Sequence, residues 1–128
     1  MAFIADAYDT DKIQKGRWCE YEGSRFLIAR DDSDRYRKEL GDYIRRVQKD
    51  EEVSAAEMGD EEIRIKAAHL LLDWADVVDR EGKEVPYSAE KAYLTMRHDK
   101  AFHAWVVSQA RDHAKYRHDA LLDDVKKP

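Results

Sequence analysis

Residues 67–92 constrain the fold more than any other stretch. Their first half is the most apolar run in the chain. Ile63, Ala67, Leu70, Leu71, Trp74, Val77 and Val78 recur at the three-four spacing of one helix face. That spacing predicts a main helix over residues 61–78. The second half is punctuation. Residues 79–83 are charged and centre on Gly82, which suits the left-handed close of a helix. Pro86 disfavours helix at Val85 and predicts an extended step. Ser88 is placed to cap a new helix, with Tyr87 stapled onto Ala92.

A chain of 128 residues predicts one domain, residues 1–128, with a core of modest size. Charged residues make up 40%, yet 43% are hydrophobic and periodic, so the charge belongs on the solvent faces of helices. The net charge of −5 argues against a general nucleic-acid binder, whose affinity rests on neutralising phosphates. Cys19 is the single cysteine, so no internal disulfide is expected and a reducing compartment fits. No basic-then-apolar leader and no apolar run of spanning length stand in the sequence, which predicts a cytosolic setting.

The expected fold is mainly α: a small helical domain of about four helices with an N-terminal β-hairpin. Residues 1–15 predict a loosely held arm. Residues 16–30 alternate around Glu22-Gly23-Ser24, which predicts a hairpin with a three-residue link. Two strands are marginal alone, so the hairpin must lean on helices or pair with another chain. Residues 31–125 predict the helical body. Residues 31–34 offer caps for a helix whose apolar face carries Tyr36, Leu40, Tyr43, Ile44 and Val47. Gly41 within it reads as a site of close packing. Ser54 and Glu57 have capping-box spacing, with Gly59-Asp60 as an expected interruption before the main helix. Asp99 is placed to cap a last helix over residues 100–125, with a buried stripe of Phe102, Trp105, Val106, Gln109, Ala110, Ala114 and Leu121.

No catalytic, cofactor or metal site is expected. His98/His103 and His113/His118 are each five apart, which aims them at different helix faces rather than at one ion. His113 is read as a pH-sensitive contact. Asp73, Asp76 and Asp79 are read as exposed at a helix end, where paired acid–base work is not expected. Cys19 beside Trp18 reads as a small packing residue. Trp74 and Trp105 read as core, while Trp18 is balanced between core and interface. The basic residues of the 33–49 helix are diluted by Asp34, Glu39 and Asp42, so a solvated mixed-charge face is favoured over a DNA-reading helix.

Several motifs in order resemble the tail assembly chaperones of long-tailed bacteriophages. They are Trp18 in a first strand, Phe26-Leu27-Ile28-Ala29-Arg30 closing a second, Tyr36 with Leu40, Asp73-Trp74, Gly82, Pro86-Tyr87-Ser88, and the late aromatics Phe102 and Trp105. The resemblance covers residues 17–120. It implies a non-enzymatic assembly factor without cofactors, acting in the host cell cytoplasm and absent from the mature virion. Its partners would be the tape-measure protein, which it keeps soluble, and tail-tube subunits, which it recruits. Neither nucleic acid nor membrane is expected as a partner. Homo-oligomers are expected, because many weak sites acting together suit a long client. Candidate protein-binding residues are Trp18, Phe26, Ile28, Tyr36, Tyr43 and Tyr87. Related chaperones are also made in a frameshifted longer form, and Lys126-Lys127 is compatible with a slippery codon run. Two rivals stand beside this reading: a virion structural part such as a head–tail adaptor, and a small DNA-binding regulator.

Overall fold

A computed structural model describes residues 2–49 and 54–120. The elements are α1 (Thr10–Lys15), β1 (Arg17–Tyr21), β2 (Ser24–Ile28), α2 (Asp34–Lys49), α3 (Ala55–His69), β3 (Leu71–Ala75), α4 (Ala89–His98) and α5 (Lys100–Arg111), followed by a 3-10 turn, His113–Tyr116. The fold is mainly α, as expected, with a small antiparallel sheet in the order β1-β2-β3. Among the described residues no helix is long and apolar enough to cross a membrane.

The hairpin forms as expected but turns more tightly. Tyr21 pairs with Ser24, so the link is two residues, Glu22 and Gly23, rather than three. Both have positive φ, 49° and 82°. Such a turn matches the right-handed twist of the flanking strands, and glycine adopts it freely. Cys19 and Phe26 share the inner face with Arg17 and Ile28, while Trp18 and Leu27 share the other.

The largest correction concerns residues 67–78. The helix stops at His69, and residues 71–75 are β3, paired with β2 through Phe26↔Trp74 and Leu27↔Asp73. A short apolar run satisfies helical and extended periods alike, so periodicity alone does not decide between them. The outer edge of β2 decides. Its backbone groups need partners, and β3 supplies them, with the Ala29 N–H also donating to Leu70 O at 2.9 Å. The Asp73-Trp74 pair therefore lies on a strand. Asp76, at φ 63°, ends it.

Residues 77–87 then form a strapped loop rather than a helix close. The Val85 N–H donates to Val77 O at 2.8 Å. The Asp79 carboxylate accepts from the Glu81 and Lys83 N–H groups at 2.9 and 3.0 Å, and Gly82 has positive φ within this turn. Tyr87 does not staple onto Ala92. Its ring meets Trp74 edge-on at 5.5 Å and its hydroxyl donates to Leu71 O at 2.6 Å. The Ser88 cap stands, with its hydroxyl accepting from the Lys91 N–H at 3.0 Å.

Three other expectations change. The predicted arm contains α1, which Asp9 caps and Ile13 anchors at 8% exposure. Backbone bonds tie it to the end of the described chain, Asp9 N–H to Tyr116 O at 2.8 Å and His118 N–H to Ala7 O at 2.9 Å. Gly16 makes the sharp exit possible. Its φ is 91°, and a Cβ there would lie 2.9 Å from Leu27 Cγ. The last helix ends at Arg111 and gives way to the 3-10 turn, in which Tyr116 is fully buried and donates to Ile28 O at 2.9 Å. Leu121, Val125 and Lys126-Lys127 lie outside the described residues. Helix α3 runs through Gly59-Asp60 without a break, with the expected Ser54 cap bonded to the Glu57 N–H at 3.2 Å. Gly41 faces only the Arg45 guanidinium, so it serves no close packing.

Candidate protein-binding surface

An aromatic cluster joins the sheet to α5. Phe26 on β2 packs against Trp74 on β3 at 6.2 Å, and against Phe102 and Trp105 on α5 at 5.0 and 5.6 Å. Tyr21, at the end of β1, lies 4.6 Å from Trp105 and 5.8 Å from Phe102. Such rings bury large areas and favour tilted and edge contacts. The Trp74 indole N–H donates to Val85 O at 2.8 Å, which fastens the strapped loop to the sheet. Asp99 caps α5, its carboxylate accepting from the Phe102 N–H at 3.0 Å, and the Phe102 ring is buried at 3% exposure.

Between these elements lies a cleft of about 260 Å³. Tyr21, Phe26, Trp74, Val77, Val78 and Phe102 form its apolar wall, and Glu22 and Asp99 stand at its edge. Val78 is 57% exposed at its mouth. Burial raises the Tyr21 phenol above its ordinary value, and the charges of Glu22 and Asp99 raise it further. The rim is therefore negative. An apolar wall beneath a negative rim suits an apolar side chain with a cation beside it.

The six residues singled out from sequence do not gather in one place. Phe26, Ile28, Tyr36 and Tyr43 are buried core residues, and only Phe26 reaches the cleft wall. Trp18 is half-buried on the opposite face of the hairpin. Tyr87 is half-buried, with its hydroxyl spent on a backbone carbonyl. Trp74 is core at 6% exposure and Trp105 is half-buried against it, in keeping with their expected packing. Sequence reasoning missed Tyr21, Val77 and Val78 as members of one surface. Phe102 was legible as part of a stripe, but its neighbours come from strands distant in sequence.

The polar clusters are structural. His113 Nε2 lies 2.6 Å from Asp31 Oδ1, and Arg30 holds Asp32 through two bonds of 2.6 and 3.0 Å. The hydrogen bond from Arg30 keeps the Asp32 carboxyl below its ordinary range. Asp31, Asp32 and His113 thus stand close enough to share an ion, but their donor atoms already serve these pairs. Asp73, Asp76 and Asp79 are spread over a strand and a loop. Asp76 takes both Arg25 nitrogens at 3.1 and 2.6 Å, Asp73 accepts from the Trp74 N–H, and Asp79 holds its turn. Cys19 is buried, with Sγ 3.5 Å from Arg17 O.

A family model described as "YdaY prophage protein" matches residues 29–127, about three quarters of the chain. The match begins just after β2, leaving α1 and the whole hairpin outside it. No curated protein and no solved structure matches the chain.

Proposed function

The chain belongs to the YdaY prophage protein family and is phage-derived, and from that premise we propose that it is a tail assembly chaperone. In this reading it binds the tape-measure protein in the host cytoplasm, keeps it soluble, recruits tail-tube subunits and leaves before the virion is complete. It performs no covalent chemistry. The observation that carries the reading is the cleft beside Val78, whose apolar wall and acidic rim suit the apolar face of a helical client. The ordered motifs from Trp18 to Trp105 add the resemblance to such chaperones. β1 lies at the edge of the sheet, and its outer side offers a route to homo-oligomers.

Co-expression with the tape-measure protein of the same prophage tests this. The expected result is a soluble complex, lost when Val78→Asp places a charge at the mouth of the cleft. An insoluble tape-measure protein and no complex with the unaltered chain would end the reading. Recovery of the chain in purified virions at fixed stoichiometry would replace it with a structural role in the particle.

A further inference from the structure

The other face of α5 carries a different surface. Lys100, His103, Ala104, Val107, Ser108 and Arg111 follow the three-four spacing of one helix face, and Lys66 faces them from α3. Together they border a groove of about 670 Å³. We infer that this groove is a binding site for a dianionic phosphate group. The inference stands apart from the tail reading, so either can fail alone.

Charge makes the first argument. In a chain of net charge −5, this lining holds three permanent cations, Lys66, Lys100 and Arg111, against one carboxylate, Asp112. The balance is two positive charges, which a dianion neutralises. Elsewhere Arg25, Arg30, Arg64 and Arg117 each hold a carboxylate. None of the three groove cations forms an ion pair with a described residue.

The second argument is an unmet hydrogen bond. His103 Nε2 is buried and has no partner among the described residues. A buried polar nitrogen left unpaired is costly, and a turn of the ring about its Cβ–Cγ bond, bringing it to a ligand oxygen in the groove, would relieve that cost. Burial, then the charge of Lys66, lowers the pKa of this imidazole below its ordinary value. An anion between His103 and Lys66 would offset both effects, so binding should raise that pKa. Ser108 already donates to Trp105 O at 2.7 Å and contributes no further proton. Ala104 and Val107 give the floor an apolar stretch for a small organic carrier.

Compactness selects the ligand. A carboxylate brings one charge and leaves the site half neutralised. A nucleic-acid strand brings a run of phosphates toward a chain that is acidic overall, which raises the electrostatic cost.

Imidazole NMR of His103 during titration of the full chain with inorganic phosphate, at pH 7 and constant ionic strength, tests the site. The expected result is a saturable shift that chloride does not reproduce. The combined Lys100→Gln and Arg111→Gln change, at exposed positions, should weaken it at least about tenfold, while the thermal midpoint stays in place. Lys66→Gln alone should weaken it in the same sense and serves if the double variant folds poorly. Sulfate, dianionic throughout, should bind more tightly as pH falls through the His103 midpoint. Phenyl phosphate separates the sources: tighter binding than inorganic phosphate points to an ester on an apolar carrier, and equal binding to free phosphate. A linear response matching chloride, or a saturable one untouched by the substitutions, overturns the site.

Discussion

The two faces of α5 are built on opposite plans. One face enters the aromatic cleft, whose wall is assembled from β1, β2, β3, the strapped loop and the helix. The other borders the cationic groove, whose lining is mostly a single helix read at every third or fourth residue. The cleft is apolar with an acidic rim, and it is tied into the core through Phe26, Trp74 and Phe102. The groove is open and cationic, and beyond α5 it draws on Lys66 of α3 and on Asp112 just past the helix end. A surface made by sheet pairing depends on the stability of the whole fold. A surface made by helical periodicity depends on little beyond its own helix. Damage to the sheet should therefore destroy the cleft first, while charge changes in the groove should leave folding almost untouched.

That contrast can be broken by substitution. The largest effect is expected for Trp74→Ala, which removes the edge-on contact with Phe26 and the bond to Val85 O. Denaturant unfolding should show a loss of about 3–5 kcal/mol, and the cleft should lose its wall. Gly16→Ala comes next. Its Cβ would crowd Leu27 and its φ of 91° is strained for any side chain, so a loss of about 1–3 kcal/mol is expected. Tyr87→Phe leaves Leu71 O without its hydroxyl donor and should cost about 1 kcal/mol.

Acid sharpens the comparison from the groove side. His103 and His69 both have pKa values lowered chiefly by burial. Each has a buried ring nitrogen without a partner among the described residues. The folded chain therefore resists protonating them, while the unfolded chain takes up protons near the ordinary pKa of about 6.5. Between those values the unfolded state binds more protons, so stability falls as pH drops below about 6.5. Thermal melts from pH 7.5 to 5 should show that decline. Bound phosphate should flatten the part due to His103 and leave the part due to His69. The smallest stability effect belongs to Val78→Asp. At 57% exposure it should change unfolding by no more than about 0.5 kcal/mol. If client binding survives it, the cleft is not the contact surface.

The elements that periodicity and caps define locally were legible. The Ser54, Ser88 and Asp99 caps each accept the N–H three residues on, as their spacing implies. The hairpin followed from alternation around Gly23, and α2 from its stripe of Tyr36 and Tyr43. The strand at residues 71–75 was hidden because its apolar residues also fit a helix. Docking of α1 was hidden because its backbone partners, Tyr116 and His118, lie about a hundred residues away. The candidate binding residues are aromatic or large, and most of them, Phe26, Ile28, Tyr36 and Tyr43, lie in the core. Aromatic character marks burial and interfaces equally, so composition could not tell them apart.

By itself the sequence determined the Ser54, Ser88 and Asp99 caps, the presence of a hairpin around Gly23 and the inward stripe of α2. Those outcomes rest on interactions spanning a few residues, which local chemistry decides. Tertiary structure alone decided that residues 71–75 extend, that the N-terminal helix is clasped by the Tyr116 region, and that Tyr21, Val78 and Phe102 meet at one cleft. Each of those depends on a distant backbone edge or ring finding its partner, a gain available only once the rest of the chain is in place.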